Sequence, residues 1–251
     1  MSNPITSTRL GTKIYTVNLD IFNYEGLYVS LHELGCSKNY IFIIMLAPRR
    51  NKVIYSFFSW YINRIIKSDF DKLNFNNVDF DDKRAVLLLS NHFSWWDGFI
   101  IFQINRLYFK KKFHVMITEE NYDKVWFLKY LGSFSVKKNS RSIIDTLEYA
   151  GRLLDNPENM VLIFPQGMLY SGHSDEIQFQ KGLMNMINTS KKKFQYIFAS
   201  IFVDYFEHRK ASVNCYLQSW QGAEFTSLQL IKSAYNKHYE VSRQAQIAIR
   251  V

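Results

Sequence analysis

A chain of 251 residues with 47% apolar content can bury one sizeable core and is too short for two large domains. Its formal charge of +9 and 17% aromatic content favour an anionic partner, and charge alone does not choose among phospholipid headgroups, nucleic acid and a phosphorylated cofactor. The only cysteines, Cys36 and Cys215, exclude a disulfide framework and a paired-cysteine zinc site, and point to a reducing, cytoplasmic setting.

In chain order, the amino terminus lacks a basic stretch followed by an apolar core and cleavage site, which argues against secretion. Residues 1–44 show no sustained period and receive no role. The longest wholly apolar run, 40–47, is shorter than the roughly 20 residues that cross a bilayer as a helix. Work on lipids would therefore be done from the surface. The sequence changes character at Met45, which is a candidate translation start that N-terminal sequencing of the native protein would test. Arg49, Arg50 and Lys52 lead into a helix expected over 53–66, with Ile54, Phe57, Phe58, Tyr61 and Ile65 at helical spacing. Two readings of that stripe stand side by side: a helix lying among membrane headgroups, and a helix packed on its own domain core.

A continuous apolar run at 85–90 reads as a buried strand, followed by a connection at 91–97 and a helix over 98–107. Further strands are expected at 113–118, 133–136, 161–164, 196–204 and 213–218. Further helices are expected near 122–130 and over 142–154, 182–190 and 229–250. Alternating strands and helices predict an α/β fold, a mixed and largely parallel sheet flanked by helices. No repeat or low-complexity segment interrupts it.

His92 directly follows the 85–90 strand, in Ser90-Asn91-His92-Phe93-Ser94-Trp95-Trp96-Asp97. Positions beyond the carboxyl end of a strand are where α/β sheets display catalytic groups. A neutral imidazole there can take a hydroxyl proton near neutral pH, and Asp97 can hold the ring and stabilise the imidazolium. Ser94 and Asp97 also have Ser-x-x-Asp helix-capping spacing, which would account for Asp97 without catalysis but leaves His92 unexplained. Phe164-Pro165-Gln166-Gly167 follows a second buried run, where exposed amides can receive phosphate or carboxylate oxygens; on the residues alone a plain turn is the simpler reading. Phe179-Gln180-Lys181-Gly182 sets a cation beside a glycine before a helix, suited to an anionic headgroup or simply a solvated lysine.

Asn91-His92 and Asp97, in the Asn-His, four residues, Asp arrangement, resemble the first block of the glycerophospholipid and lysophospholipid acyltransferase family. Phe164-Pro165-Gln166-Gly167 resembles its Phe-Pro-Glu-Gly block, and Phe179-Gln180-Lys181-Gly182 its Phe-Lys-x-Gly block. The segment 132–136 with Lys137, Lys138 and Arg141 is similar to the intervening block, where an arginine is thought to contact the acceptor phosphate. The similarity runs from about Met45 to about Gln218. It implies an acyltransferase domain over 45–251, with 1–44 as a separate N-terminal segment. It also implies transfer of a fatty acyl group from a coenzyme A or acyl carrier protein thioester to a lipid hydroxyl, with no metal and no resident cofactor. His92 and Asp97 would be catalytic. Arg141, Phe164, Pro165, Gln166, Gly167, Lys181 and Gly182 would bind substrate.

This sequence departs from the family pattern at Gln166, where glutamate is usual, at Met168 and Leu169, where threonine and arginine are common, and in a 197–203 strand without the usual proline. These changes turn the expectation from lysophosphatidic acid toward another lysolipid, an amino-lipid or a lipid-like alcohol. The resemblance further implies peripheral attachment to the cytoplasmic face of a membrane. A non-catalytic lipid-surface binding protein of the same fold is the alternative. Nucleic-acid binding rests on charge alone, with no recognition motif to support it. Other enzyme signatures, such as Gly-x-Ser-x-Gly, a phosphate loop ending in Gly-Lys-Ser/Thr, and His-Glu-x-x-His, are missing.

Overall fold

Two of the sequence's apolar runs become neighbouring strands, β2 (Val86–Ser90) and β5 (Asn159–Ile163), and every residue of both is buried. Strands buried on both faces need a sheet covered on both sides by helices. The computed structural model, which describes residues 47–136, 140–191, 193–222 and 226–251, has that architecture. The other strands are β1 (Phe70–Phe75), β3 (Lys112–Thr118), β4 (Ser133–Val136), β6 (Gln195–Asp204) and β7 (Ala211–Trp220). They join into one seven-stranded sheet in the order β1-β7-β6-β2-β5-β3-β4. All neighbours are parallel except β6 and β7, a hairpin whose return strand pairs in parallel with β1.

Because side chains alternate across a strand, the sheet divides the core in two. Val86, Leu88, Met160, Leu162, Ile197 and Ala199 face α1 (Lys52–Asp69) and α2 (Asp97–Ile104). Leu87, Leu89, Val161, Ile163 and Phe198 face α4 (Ser140–Leu153), α5 (Leu183–Thr189) and α6 (Leu228–Ile247). Each fully buried leucine contributes about 1.5–3 kcal/mol, so Leu87, Leu88 and Leu89 hold β2 firmly in the core. The carboxyl ends of the central strands form the platform for the site.

Most expected elements are present within a few residues of their expected bounds. The sequence reading missed β1, where the register shifts between Phe70 and Leu73 and breaks the alternation that marks a strand. The single helix expected near 122–130 is two pieces, α3 (Glu119–Lys124) and a 3-10 turn (Leu128–Leu131), because Val125 leaves helical geometry. The 3-10 turn closes on Gly132 at φ +99°, where a Cβ would lie 1.9 Å from the Phe113 carbonyl oxygen; only glycine fits. The expected 98–107 helix is α2 followed by a π turn (Asn105–Phe109). On α1 it is Ser59, Ile62 and Ile66 that are buried, while Phe57 and Tyr61 of the expected stripe are 54% and 41% exposed. The packed-on-core reading of that stripe therefore fails for Phe57 and Tyr61 but holds for Phe58, which packs against the core and stacks on Phe127 at 4.1 Å between centroids. Among the described residues no helix is long and apolar enough to cross a membrane.

Candidate active site

Asn91 fixes the chain as it leaves β2. Its side-chain amide donates to the Ile201 carbonyl (2.9 Å) and its side-chain oxygen accepts from the Ile201 N–H (2.8 Å), so it pairs with β6 as a further strand residue would. The Tyr235 hydroxyl of α6 supports the same stretch of β6 by donating to the Ala199 carbonyl (2.8 Å). His92 then stands just beyond the strand, its side chain 24% exposed, with Nδ1 2.9 Å from Asp97 Oδ2.

Asp97 is the first residue of α2 and is wholly buried. Its Oδ2 accepts from the N–H of Phe93 (2.8 Å) and of Ser94 (2.9 Å) as well as facing the imidazole. The Ser94 contact is half of a capping box; the other half is absent, because Ser94 Oγ accepts from the Trp96 N–H (3.1 Å) and the helix starts at Asp97, not near Ser94. One carboxylate thus organises the loop and the ring together. Burial pushes the Asp97 carboxyl above its ordinary value, opposed by the hydrogen bond from His92, the Ser94 and Phe93 N–H groups and the attraction of His92. Among the described residues, Oδ1 is buried with no hydrogen-bond partner, so the carboxylate's contacts converge on one oxygen. An ionised carboxylate only accepts, which sets the tautomer with the proton on Nδ1 and a lone pair on Nε2. Such a histidine can take a proton from a bound hydroxyl.

The loop after β5 closes on this histidine. Phe164 stacks on the ring at 4.0 Å between centroids and 15° between planes. The Gln166 side-chain oxygen accepts from the His92 N–H (2.6 Å), and the Tyr170 N–H donates to the His92 carbonyl (3.0 Å). Gly167 sits at φ +72°, which permits the reversal, and Pro165 accepts through its carbonyl from the Gln180 N–H (2.8 Å). Lys181 is exposed beside Gln180. A Cβ on Gly182 would meet Leu147 Cδ1 at 2.8 Å, so a side chain there would require Leu147 of α4 to shift. The structure therefore brings His92, Asp97, Phe164 and Gln166 into direct contact, with Pro165 and Gly167 shaping the turn. The Arg141 side chain, with Lys137 and Lys138, lies outside the described residues. No group of metal-ligating side chains occurs among the described residues. Cys215 is buried, and its thiol is pushed up by burial and by the charge of Asp97, which leaves it unreactive.

Sequence reasoning missed Tyr170, which acts through its backbone and carries no sequence signal. It also missed the clamp that α6 places on 174–177. Asn236 accepts from the Ile177 N–H (2.7 Å) and donates to its carbonyl (3.0 Å), and the Tyr239 hydroxyl donates to the Ser174 carbonyl (3.0 Å).

The α/β sheet thus carries a carboxylate-held imidazole beyond a central strand, where such sheets display functional groups. A model of the acyltransferase family matches residues 72–201, more than half of the chain, and includes both loops just described. The chain belongs to the acyltransferase family, and its activity is acyl transfer. No match emerges among curated proteins.

Proposed function

We propose that the protein moves a fatty acyl group from a coenzyme A or acyl carrier protein thioester to the hydroxyl of a lysophospholipid or related lipid acceptor. The observation that carries this reading is the 2.9 Å contact between His92 Nδ1 and the buried Asp97 carboxylate, on a ring still 24% open to the exterior. His92 Nε2 takes the hydroxyl proton as the oxygen attacks the thioester carbonyl. The tetrahedral intermediate then collapses, the C–S bond breaks, and the thiolate leaves with the proton held by the imidazolium. Neither a metal nor an acyl-enzyme enters this sequence.

The exposed side chains following Gln166 are Met168, Leu169 and Tyr170, which suits an acceptor whose apolar body lies against the loop. The acceptor in this reading is a lysolipid other than lysophosphatidic acid, or a lipid-like alcohol. Attachment is peripheral, at the cytoplasmic face of a membrane. Supporting this, α1 turns Val53, Phe57, Trp60 and Tyr61 outward, Trp126 adjoins Phe58 at 5.3 Å, and Arg49, Lys52, Arg64 and Lys67 are exposed around them. Apolar insertion combined with headgroup attraction is how interfacial helices bind.

The test is thiol release from long-chain acyl-coenzyme A and acyl carrier protein thioesters by the purified protein, across lysophospholipids and lipid alcohols. Acceptor-dependent release is expected. Lipid binding without release from any thioester would replace this reading with non-catalytic lipid binding.

A further inference from the structure

We propose that Gln166 is a positioning residue for His92, and not a contact for the acceptor headgroup; this deepens the reading of His92 as the base and rests on it. Among the described residues four contacts restrain His92, and of these only the one to Asp97 comes from its own loop. Phe164 covers the ring face, Gln166 holds the peptide N–H at 2.6 Å, and Tyr170 holds the peptide carbonyl at 3.0 Å. The segment 164–170 therefore grips the residue by ring, amide and carbonyl. Gln166 is 2% exposed, which leaves almost no surface for a headgroup. The Gln180 side-chain amide donates to the Gln166 carbonyl (3.3 Å), and the Gln180 N–H to Pro165, so the grip is itself anchored.

The residue type matters electrostatically. An amide oxygen accepts the His92 N–H without bringing a second negative charge beside the ring, and among the described residues Asp97 is the one carboxylate in contact with the imidazole. A glutamate at 166 would accept the same N–H and also favour the imidazolium. A leucine would leave the N–H without its acceptor and free the loop to shift. Displacing a catalytic group by about 1 Å can cost up to roughly 100-fold in rate.

The experiment compares wild type, Q166L and Q166E. The low-field proton resonance of the Nδ1–H bond to Asp97 is identified by its loss in His92→Ala. The expected result for Q166L is a weakened or broadened resonance with kcat lower by about tenfold or more and KM within about twofold, while circular dichroism retains the wild-type fold. For Q166E the expected result is a restored resonance, rate recovery at alkaline pH, and an acid limb of the pH–rate profile moved to higher pH. A rise in KM at unchanged kcat in Q166L would overturn the proposal in favour of headgroup binding. So would a resonance that is missing from wild type or unchanged in Q166L. Because the resonance needs no turnover, it decides the positioning role even if no thioester is consumed, an outcome that counts only against the proposed reaction.

Discussion

Asp97→Asn separates what this carboxylate does for the fold from what it does for catalysis. The asparagine oxygen can take the place of Oδ2 and accept the Phe93 and Ser94 N–H groups, while its NH2 replaces Oδ1, which has no partner among the described residues. Two changes therefore oppose each other in stability: charge-assisted hydrogen bonds weaken, and the burial penalty that raises the Asp97 pKa disappears. The net change at pH 7 is expected within about 1 kcal/mol. Catalysis has no such compensation. At 2.9 Å a carboxylate stabilises a forming imidazolium by about 6 kcal/mol at an effective dielectric of about 20, or about four powers of ten in rate. Water reaching the partly exposed ring reduces this, giving an expected loss of about 10²- to 10⁴-fold. Thiol-release kinetics and urea melts on the same preparation measure both quantities. The pH dependence has a sign. With its folded pKa raised, Asp97 opposes folding once ionised, and that cost is relieved as pH falls through the folded value. Any stability advantage of Asp97→Asn should therefore be present at neutral pH and shrink on acidification. A variant that unfolds while wild type is stable, or that keeps wild-type turnover, would refute the argument.

His114 and His238 are each held down to about 4, chiefly by burial, against about 6.5 in the unfolded chain. The unfolded chain therefore binds more protons as pH falls from about 6.5 toward 4, and stability should drop by up to about 3 kcal/mol per residue. Urea melts from pH 7 to 4.5 measure this, and a His114→Gln, His238→Gln variant should flatten the curve. Gly132→Ala should cost about 3 kcal/mol or more, since it combines a positive φ with a Cβ 1.9 Å from the Phe113 carbonyl oxygen; a thermal melt within a degree or two of wild type would contradict it. Replacing Phe57 and Trp60 by glutamate should weaken co-sedimentation with anionic vesicles about tenfold or more. Thiol release from a soluble short-chain substrate should stay near wild type.

What was legible in the sequence follows the range of the interactions that fix each element. Apolar runs mark β2 and β5 because burial on both faces demands them, and the α/β alternation follows from helices covering such strands. The pairing of His92 with Asp97 is local, five residues apart, and its spacing is visible. Gln166 lies 74 residues from His92, so the sequence shows the residue but not that its side chain turns onto the His92 backbone. β1 is hidden because its register shift breaks the period and Phe70 is its one buried residue. The orientation of α1 was open because it carries two apolar faces. Periodicity marked Phe57 and Tyr61, but the core of the sheet accepts Ile62 and Ile66.

The most direct test of the central claim, that His92 is the base of an acyl transfer, is the rate of acceptor-dependent thiol release by wild type and His92→Ala under identical conditions. Release by wild type and a loss of at least about 10³-fold in the variant are expected, with an unchanged melting transition. Equal rates in the two proteins would contradict it.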